Sequence, residues 1–535
     1  MLAQYSIFIL FGPWLLYSLD SSYVRGYTLL YPWLGARIVW FLPSEQIRRT
    51  RIVALIFSRI TFCTSLCLWA SFDYSHTEPF QKVLSIQIGP GSYEPAGGGR
   101  SWKGIRSSSL EFGLDGLSLW MVLRTTALFP ICILCSWLRP YGSVGSSGVP
   151  ALRAGTPIRV VCTLLLILEG MLLAVWTILD IVFFYVLYES VRIPMFLRIG
   201  LAGSRTRKIR AAYQLVLYTL FGSLCLLPCL LLMYAETGTS SLELIYAYNW
   251  TFERQRILWW GFFFAFAVKI PMIPLHLWLP EAHVEASTAG SVLLAGVLLK
   301  LGSYGFLRFL LPLFPEATIF YGPRVYTRSL IARIYASRTT RRQVDLKKII
   351  AYSSVAHMNL VTLSLFSNNE LGRSAACFLM LSHGVVSPAL FLCVGMLYDR
   401  HHTKLLKYLG GSAATMPLFT IFFFFFTLAN MALPLSPSFI AEFLALCGVF
   451  AYHSWATVYA LISVIRAAIY SLWAYARVAH GRPKNVYIKY VCDRCRREFW
   501  CIFPLLWITI WWGFFPSEVL YSLSGSMLLL QHLCL

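Results

Sequence analysis

Residues 264–283 read FAFAVKIPMIPLHLWLPEAH. The run is apolar enough to enter a membrane, yet it holds Lys269, His276, His283 and the prolines Pro271, Pro274 and Pro280. A proline inside a helix deletes one backbone donor and clashes with the preceding turn, so the helix is expected to unwind directly behind Lys269. Unwound backbone at membrane depth is tolerated only where protein buries it or it lines a wet cavity. A lysine at such a break therefore belongs to the interior of a bundle. The break gives it mobile backbone and room for water.

The rest of the chain supplies the bundle. Of 535 residues, 58% are hydrophobic and only 13% charged, and the mean hydropathy is +0.65. Soluble domains carry about 25% charged residues, so this composition excludes an ordinary soluble enzyme. Apolar runs long enough to cross a bilayer recur at 27–43, 52–72, 115–138, 158–177, 178–200, 211–235, 257–279, 286–313, 316–336, 345–366, 372–398, 413–445, 452–478 and 498–520. Span nine is weak, because Arg324, Arg328 and Arg333 interrupt it. Ile7–Tyr17 is too short to span; without a charged region before it or a cleavage site after it, it is not expected to be a signal peptide. Residues 76–110, with Gly97-Gly98-Gly99-Arg100, are expected to be a loop insertion outside the membrane.

The net charge of +22 first suggests nucleic acid. The basic residues instead cluster between apolar runs, at Arg48–Arg51, Arg205–Arg210, Arg338–Arg342, Arg400–Lys407 and Arg477–Arg497. Each cluster follows an odd-numbered span, which puts all of them on one side of the membrane, as the positive-inside rule requires. Such loops attract anionic lipid headgroups, and no nucleic-acid partner is expected. The fourteen cysteines are scattered, many inside apolar runs. Cys492-Asp-Arg-Cys495 lacks a second pair at zinc-finger spacing, so no metal site is expected there.

Span twelve is broken like span seven: Leu433-Pro-Leu-Ser-Pro437 precedes Ser438-Phe-Ile-Ala-Glu442. Paired broken helices in corresponding halves point to an inverted-repeat transporter with its ion path at the breaks. The two lie five spans apart, which predicts an all-α polytopic membrane protein of about fourteen transmembrane helices with two inverted five-helix repeats.

Ionisable residues fall inside these spans: Glu169 in span four, Glu189 in five, Lys269 in seven, Lys300 in eight, His357 in ten, His383 in eleven and Glu442 in twelve. An ionised group at the bilayer centre costs about 2.5–3.5 kcal/mol on insertion scales. Taken singly, each is explained by a satisfied structural polar group or by a position nearer the interface. Taken together, acid, base, base and acid on spans five, seven, eight and twelve suit proton transfer. A lysine whose carboxylate partner moves away releases its proton, and histidine suits the intermediate steps.

The stretches YESVRIPMF (188–196), GSRTRKIRAAYQLVLYTLFGSL (203–224), FAVKIPMIPLHLWLPEAHVEASTAGSVLLAGVLLKLGSYGFLRF (266–309), DLKKIIAYSSVAHMNLVTL (345–363), MLSHGVVSPALFLCVGMLYDRH (380–401) and FFFFFTLANMALPLSPSFIAEFL (422–444) resemble the antiporter-like subunits of NADH:quinone oxidoreductase, respiratory complex I. The resemblance covers roughly residues 110 to 515 and is weak over the first hundred. It implies a multi-pass subunit of the mitochondrial inner membrane, set in a membrane arm among neighbouring antiporter-like subunits. It also implies that Glu189, Lys269, Lys300 and Glu442 carry protons, with His276, His357 and His383 on or near the polar axis. The subunit itself would bind no cofactor: NADH, FMN, iron–sulfur clusters and ubiquinone belong to other subunits. No glycine-rich nucleotide fingerprint or multi-cysteine cluster pattern appears in the sequence.

The implied organisation is 1–114, N-terminal helices with the insertion; 115–157, span three and a loop; 158–313, the first repeat; 314–478, the second; and 479–535, a basic loop and the last span. Other readings are a subunit of a multisubunit cation/proton antiporter, and a structural spacer with a blocked channel. The chain departs from the family at Arg124, Arg192, Arg198 and Arg466, where apolar residues are usual, and at Ser287, where a proline is usual. Arg192 lies three residues after Glu189, on nearly the same helix face. It either competes with Lys269 for that carboxylate or points outward.

Overall fold

The computed structural model describes residues 21–73, 80–88, 108–137, 158–203, 207–482, 493 and 495–534. Ile7–Tyr17, most of the 76–110 insertion, Arg205, Cys492 and Arg494 lie outside them. The described chain is mostly helical. Helices α1 (Ser21–Phe41) and α2 (Ile47–Ala70) pack together and are followed by strands β1 (Gln81–Ile88) and β2 (Ser108–Leu114). The strands pair antiparallel, from Gln81↔Leu114 to Ile88↔Ser108. The insertion is thus a paired ribbon at its two ends and not loop throughout. Leu84, Ile86 and Ile88 alternate with Ser85 and Gln87, a period of two that favours a strand.

Then come α3 (Gly116–Cys135), α4 (Ile158–Thr177), α5 (Ile181–Ser190), α6 (Arg192–Ala202), α7 (Lys208–Thr237), α8 (Phe252–Lys269), α9 (Trp278–Glu285) and α10 (Thr288–Leu313). The remainder is α11 (Pro315–Arg342), α12 (Leu346–Leu365), α13 (Glu370–His401), α14 (Pro417–Asn430), α15 (Pro437–Tyr452), α16 (Ser454–Ala479), α17 (Arg496–Phe514) and α18 (Ser517–Cys534). Among the described residues, seven helices are long and apolar enough to cross a membrane unaided, or eight if the bent pair α17–α18 counts as one span.

Burial sorts the helices into an interior and a rim. The apolar windows of α10 and α13 are 100% buried, against 39% for α7 and for α16. On α16, Trp455, Tyr459, Ile462, Ile465, Ile469 and Leu472 form an exposed apolar stripe at helical spacing. Lipid or a neighbouring protein must cover such a face. Lys300 on α10 and His383 on α13 therefore sit on the most enclosed helices of the molecule.

Connections gather at two ends. At one, Lys347 Nζ donates to Ala286 O at 3.0 Å and Lys404 Nζ to Val284 O at 2.7 Å, so two ammonium groups satisfy carbonyls at the end of α9. Leu346 N donates to Lys404 O, Gly411 N to His480 O, and Arg400 pairs with Glu498 at 2.6 Å. At the other, Leu179 N donates to Glu111 O, Leu242 N to Leu179 O, and Arg308 pairs with Asp115 at 2.8 Å. Asp115 also caps α3 reciprocally with Ser118. The basic connections after spans nine, eleven and thirteen share the first end.

Both proline breaks are present, and their freed backbone groups find partners. Ile270 leaves the helix (φ −82°, ψ 103°) and Met272 N reaches back to Ala267 O instead of Val268 O. The released Val268 carbonyl accepts from Trp278 Nε1 at 3.0 Å, and Pro271 O accepts from Asn359 Nδ2 at 3.3 Å. The second break carries positive φ at Ala432 and Leu435, where a side chain is strained. There Ser436 caps α15 by accepting from Phe439 N.

Two spans differ from expectation, and a third meets it. Span five is two helices meeting at Val191, because Pro194 offers no N–H to Ser190 O. Span nine, expected to be weak, forms the continuous 28-residue α11 but is not among the helices apolar enough to cross a membrane unaided. Span fourteen ends at Phe514 and turns by 74° into α18, since Pro516 interrupts the run. Along α18, Ser526 Oγ accepts from Gly116 N at 2.9 Å and Ser522 Oγ from Trp120 Nε1 at 2.5 Å, which latches this helix to the start of α3.

Candidate proton-relay site

Four of the expected residues form one run. Lys300 Nζ stands 2.8 Å from His383 Nδ1 and donates to Ala295 O. The rings of His383 and His357 lie 5.7 Å apart, centroid to centroid, at 48°. His357 Nδ1 lies 2.9 Å from Glu442 Oε1, and Arg333 Nη2 stands 4.0 Å from Glu442 Oε2. Helices α10, α13, α12 and α15 each contribute one of the four, and all are buried. The run has one open step, between the two imidazoles, whose Nε2 atoms are buried without a hydrogen-bond partner.

Two irregularities position Lys300. A π-helical segment at Leu294–Leu298 directly precedes it and shifts the helical phase, and a second follows at Phe306–Leu310. Gly302 and Gly305 lie against Ile270 and the Phe266 ring, where an added Cβ would collide. The glycines let α10 press directly against the end of α8.

The surroundings of the first break are arranged differently. Lys269 Nζ lies 3.6 Å from the centroid of the Tyr188 ring and donates to Tyr188 O at 3.3 Å. A desolvated ammonium on an aromatic face gains about 2 kcal/mol. Glu189, one residue on, turns the other way and forms an ion pair with Arg192. Arg192 is also 3.5 Å from Thr219 Oγ1. Among the described residues no Glu189–Lys269 ion pair forms within 4.0 Å, so of the two fates open to Arg192 the structure has the competing one.

The remaining expected residues stand apart. Glu169, fully buried on α4, accepts from Thr61 Oγ1 at 2.7 Å, while its Oε2 has no hydrogen-bond partner. His276 sits in the first break, 5.9 Å from the Tyr335 ring and 6.1 Å from that of Tyr352. Among the described residues no group of three or more His, Cys, Asp or Glu is placed to hold a metal.

The chain and its fold have close relatives. Residues 179–469 match the family model described as NADH:quinone oxidoreductase/Mrp antiporter, TM. The chain is 48% identical over 507 residues to the NADH-ubiquinone oxidoreductase chain 4 of Arabidopsis thaliana, covering 94% of this chain and 96% of the relative. With the protein of the same description from Prototheca wickerhamii it shares 46% over 524 residues, 97% of each.

The chain belongs to the NADH-ubiquinone oxidoreductase chain 4 family. It is similar as well to a chain of respiratory complex I from Thermus thermophilus with bound NADH, at a TM-score of 0.79 and 27% identity, covering 95% of this chain and 99% of that one. The family match spans Glu189, Lys269, Lys300, His357, His383 and Glu442, but begins after Glu169.

Several residues of the site escaped the sequence. His283, fully buried, stacks on Phe391 at 4.5 Å with both ring nitrogens unpartnered, and has Lys347 and Lys300 as charged neighbours. It is the second histidine of the apolar stretch 264–283, which was the available signal. Arg333 was legible only as an interruption of span nine. Arg124 is a buried guanidinium beside Lys300, held by Met380 O at 3.2 Å and Met121 Sδ at 3.0 Å.

Proposed function

We propose that protons cross the membrane arm through Lys300, His383, His357 and Glu442, with Lys269 and Glu189 as the gating pair of the first half. The chain is a subunit of NADH:ubiquinone oxidoreductase in the mitochondrial inner membrane, and electron transfer from NADH to ubiquinone is coupled there to proton pumping. The observation that carries the proposal is the contact run from Lys300 to Glu442 on four enclosed helices. A proton leaving Lys300 has a neutral imidazole within hydrogen-bond distance, and one water between the two rings would join it to the Glu442 side.

In this reading the chain has about fourteen spans in two inverted repeats, 158–313 and 314–478, with one broken helix in each. It holds no redox centre; NADH, FMN, iron–sulfur clusters and ubiquinone belong to neighbouring subunits, and redox energy arrives as movement or charge at the shared faces. Glu169 and His276 stand at the sides of the path. The Arg192 guanidinium restrains Glu189, so that pair opens only when Arg192 is drawn away from it.

The test is Lys300→Met, beside Lys269→Met, in the assembled enzyme. Quinone reduction and proton uptake are measured together in sealed vesicles. The relay predicts that both fall with Lys300→Met; a spacer with a blocked channel would leave coupled pumping intact with either variant. Copurification with quinone-reducing and iron–sulfur subunits separates this reading from a multisubunit cation/proton antiporter.

A further inference from the structure

Four helices meet at a small open cavity on the basic end of the bundle. It is lined by Cys135 at the end of α3, Thr288 at the start of α10, Gly395 and Asp399 on α13, and Arg497 and Cys501 on the first turns of α17. Helices α3 and α17 pack against one another there. The thiols of Cys135 and Cys501, 366 positions apart by their numbering, lie within hydrogen-bonding reach of each other. Both are free thiols; Cys135 is half-buried and Cys501 buried. Arg497 Nη1, on the same wall, is buried without a hydrogen-bond partner and is available to a sulfur anion.

We propose that Cys135 and Cys501 form an oxidisable dithiol whose disulfide staples the end of α3 to the first turn of α17, with hydrogen peroxide as oxidant. One thiolate attacks a peroxide oxygen; the O–O bond breaks, hydroxide leaves, and a sulfenic acid forms. The second sulfur attacks that sulfur, the S–O bond breaks, and water leaves. Two thiols lose two protons and two electrons, and one peroxide becomes two waters. A narrow cavity admits this oxidant more readily than a bulky disulfide. Cys132, one turn earlier on α3, is the competing thiol, but it is buried and directed at Ala289 O, 3.8 Å away. The staple would tie α17 into the junction where α10 and α13, the helices of Lys300 and His383, meet α3.

The experiment uses mitochondrial membranes holding the assembled enzyme. They are treated with graded hydrogen peroxide, the remaining thiols are alkylated with N-ethylmaleimide, and unreduced peptides are read by mass spectrometry. A Cys135–Cys501 linked peptide, lighter by two hydrogens than its parts and separated by dithiothreitol, is expected to rise as both alkylated peptides fall. Cys135→Ser should abolish it and leave Cys501 alkylated. The proposal fails if both thiols stay alkylated at doses that oxidise the exposed Cys63, if Cys501 links to Cys132, or if each sulfur is oxidised separately to a sulfinic acid. Should Cys135→Ser not accumulate, the wild-type dose series decides alone, because each thiol is read on its own peptide.

Discussion

At the first break α8 stops at Lys269, whose ammonium settles on the Tyr188 ring while the neighbouring carboxylate is held by Arg192. At the second, α15 restarts behind Ser436 and brings Glu442 into contact with His357, with Arg333 a step further out. Each break sets a glutamate beside a permanent cation, but only Glu442 is linked through titratable rings to a lysine, Lys300, which comes from the first repeat. An aromatic face and a carbonyl can hold a buried ammonium without a carboxylate. The first break is therefore an interrupted device awaiting a rearrangement, and the run from Lys300 to the second break is nearly continuous as it stands.

Lys300→Met gives the sharpest break in this comparison, because it removes the one lysine in contact with the histidines. Coupled turnover should fall by about 10²-fold, the scale of losing a positioned acid–base group, whereas quinone reduction in uncoupled membranes shows whether assembly survived. Glu442→Gln comes next. It leaves the buried Arg333 facing an amide, at a cost of about 3 kcal/mol, the low end for a broken buried pair given the 4.0 Å separation. The check is a lower temperature of thermal inactivation; an unchanged one would mean that Arg333 is held by other groups.

Arg192→Leu and Glu189→Gln probe the first half together. Their pair is 13–14% exposed, so each should cost only about 1–2 kcal/mol. Proton uptake per NADH should persist in Arg192→Leu, where Glu189 is released toward Lys269, and fall in Glu189→Gln. Equal losses in the two variants would show that the pair works intact and would erase the contrast drawn between the halves. The smallest effect belongs to Glu169→Gln. The amide oxygen still accepts from Thr61 and the amide nitrogen takes the unpartnered place of Oε2, so stability should fall by about 1 kcal/mol and pumping not at all. A clear fall in pumping would put Glu169 on the path.

The prolines after Lys269 and before Glu442 announced both breaks, since a missing donor acts locally whatever the helix packs against. The buried charges were equally legible, because an ionisable group in an apolar run has few places to go. Contacts across helices were not. The Glu189–Arg192 spacing permitted a pair, but the guanidinium is steadied by Thr219 on α7, which no local pattern reveals. Likewise, His357 and His383 were visible as polar residues but not as partners, for the crossing of α12 and α13 decides that. The bend at Pro516 and the strand alternation of 84–88 were both written locally; the first was masked by a strong apolar average, the second by the glycine-rich stretch that follows it. The π segments beside Lys300 left no mark, being set by how α10 fits its neighbours.

The hold that α18 keeps on the start of α3 bears on how the molecule is made. Its serines reach the backbone of Gly116 and the indole of Trp120 only after more than four hundred further residues have left the ribosome. Until then the opening of α3 is unfastened, and the interior it helps to seal stays provisional. Nascent chains cut short before Ser522 should consequently lose order near Gly116, far from the cut, and be the ones that quality-control proteases recognise.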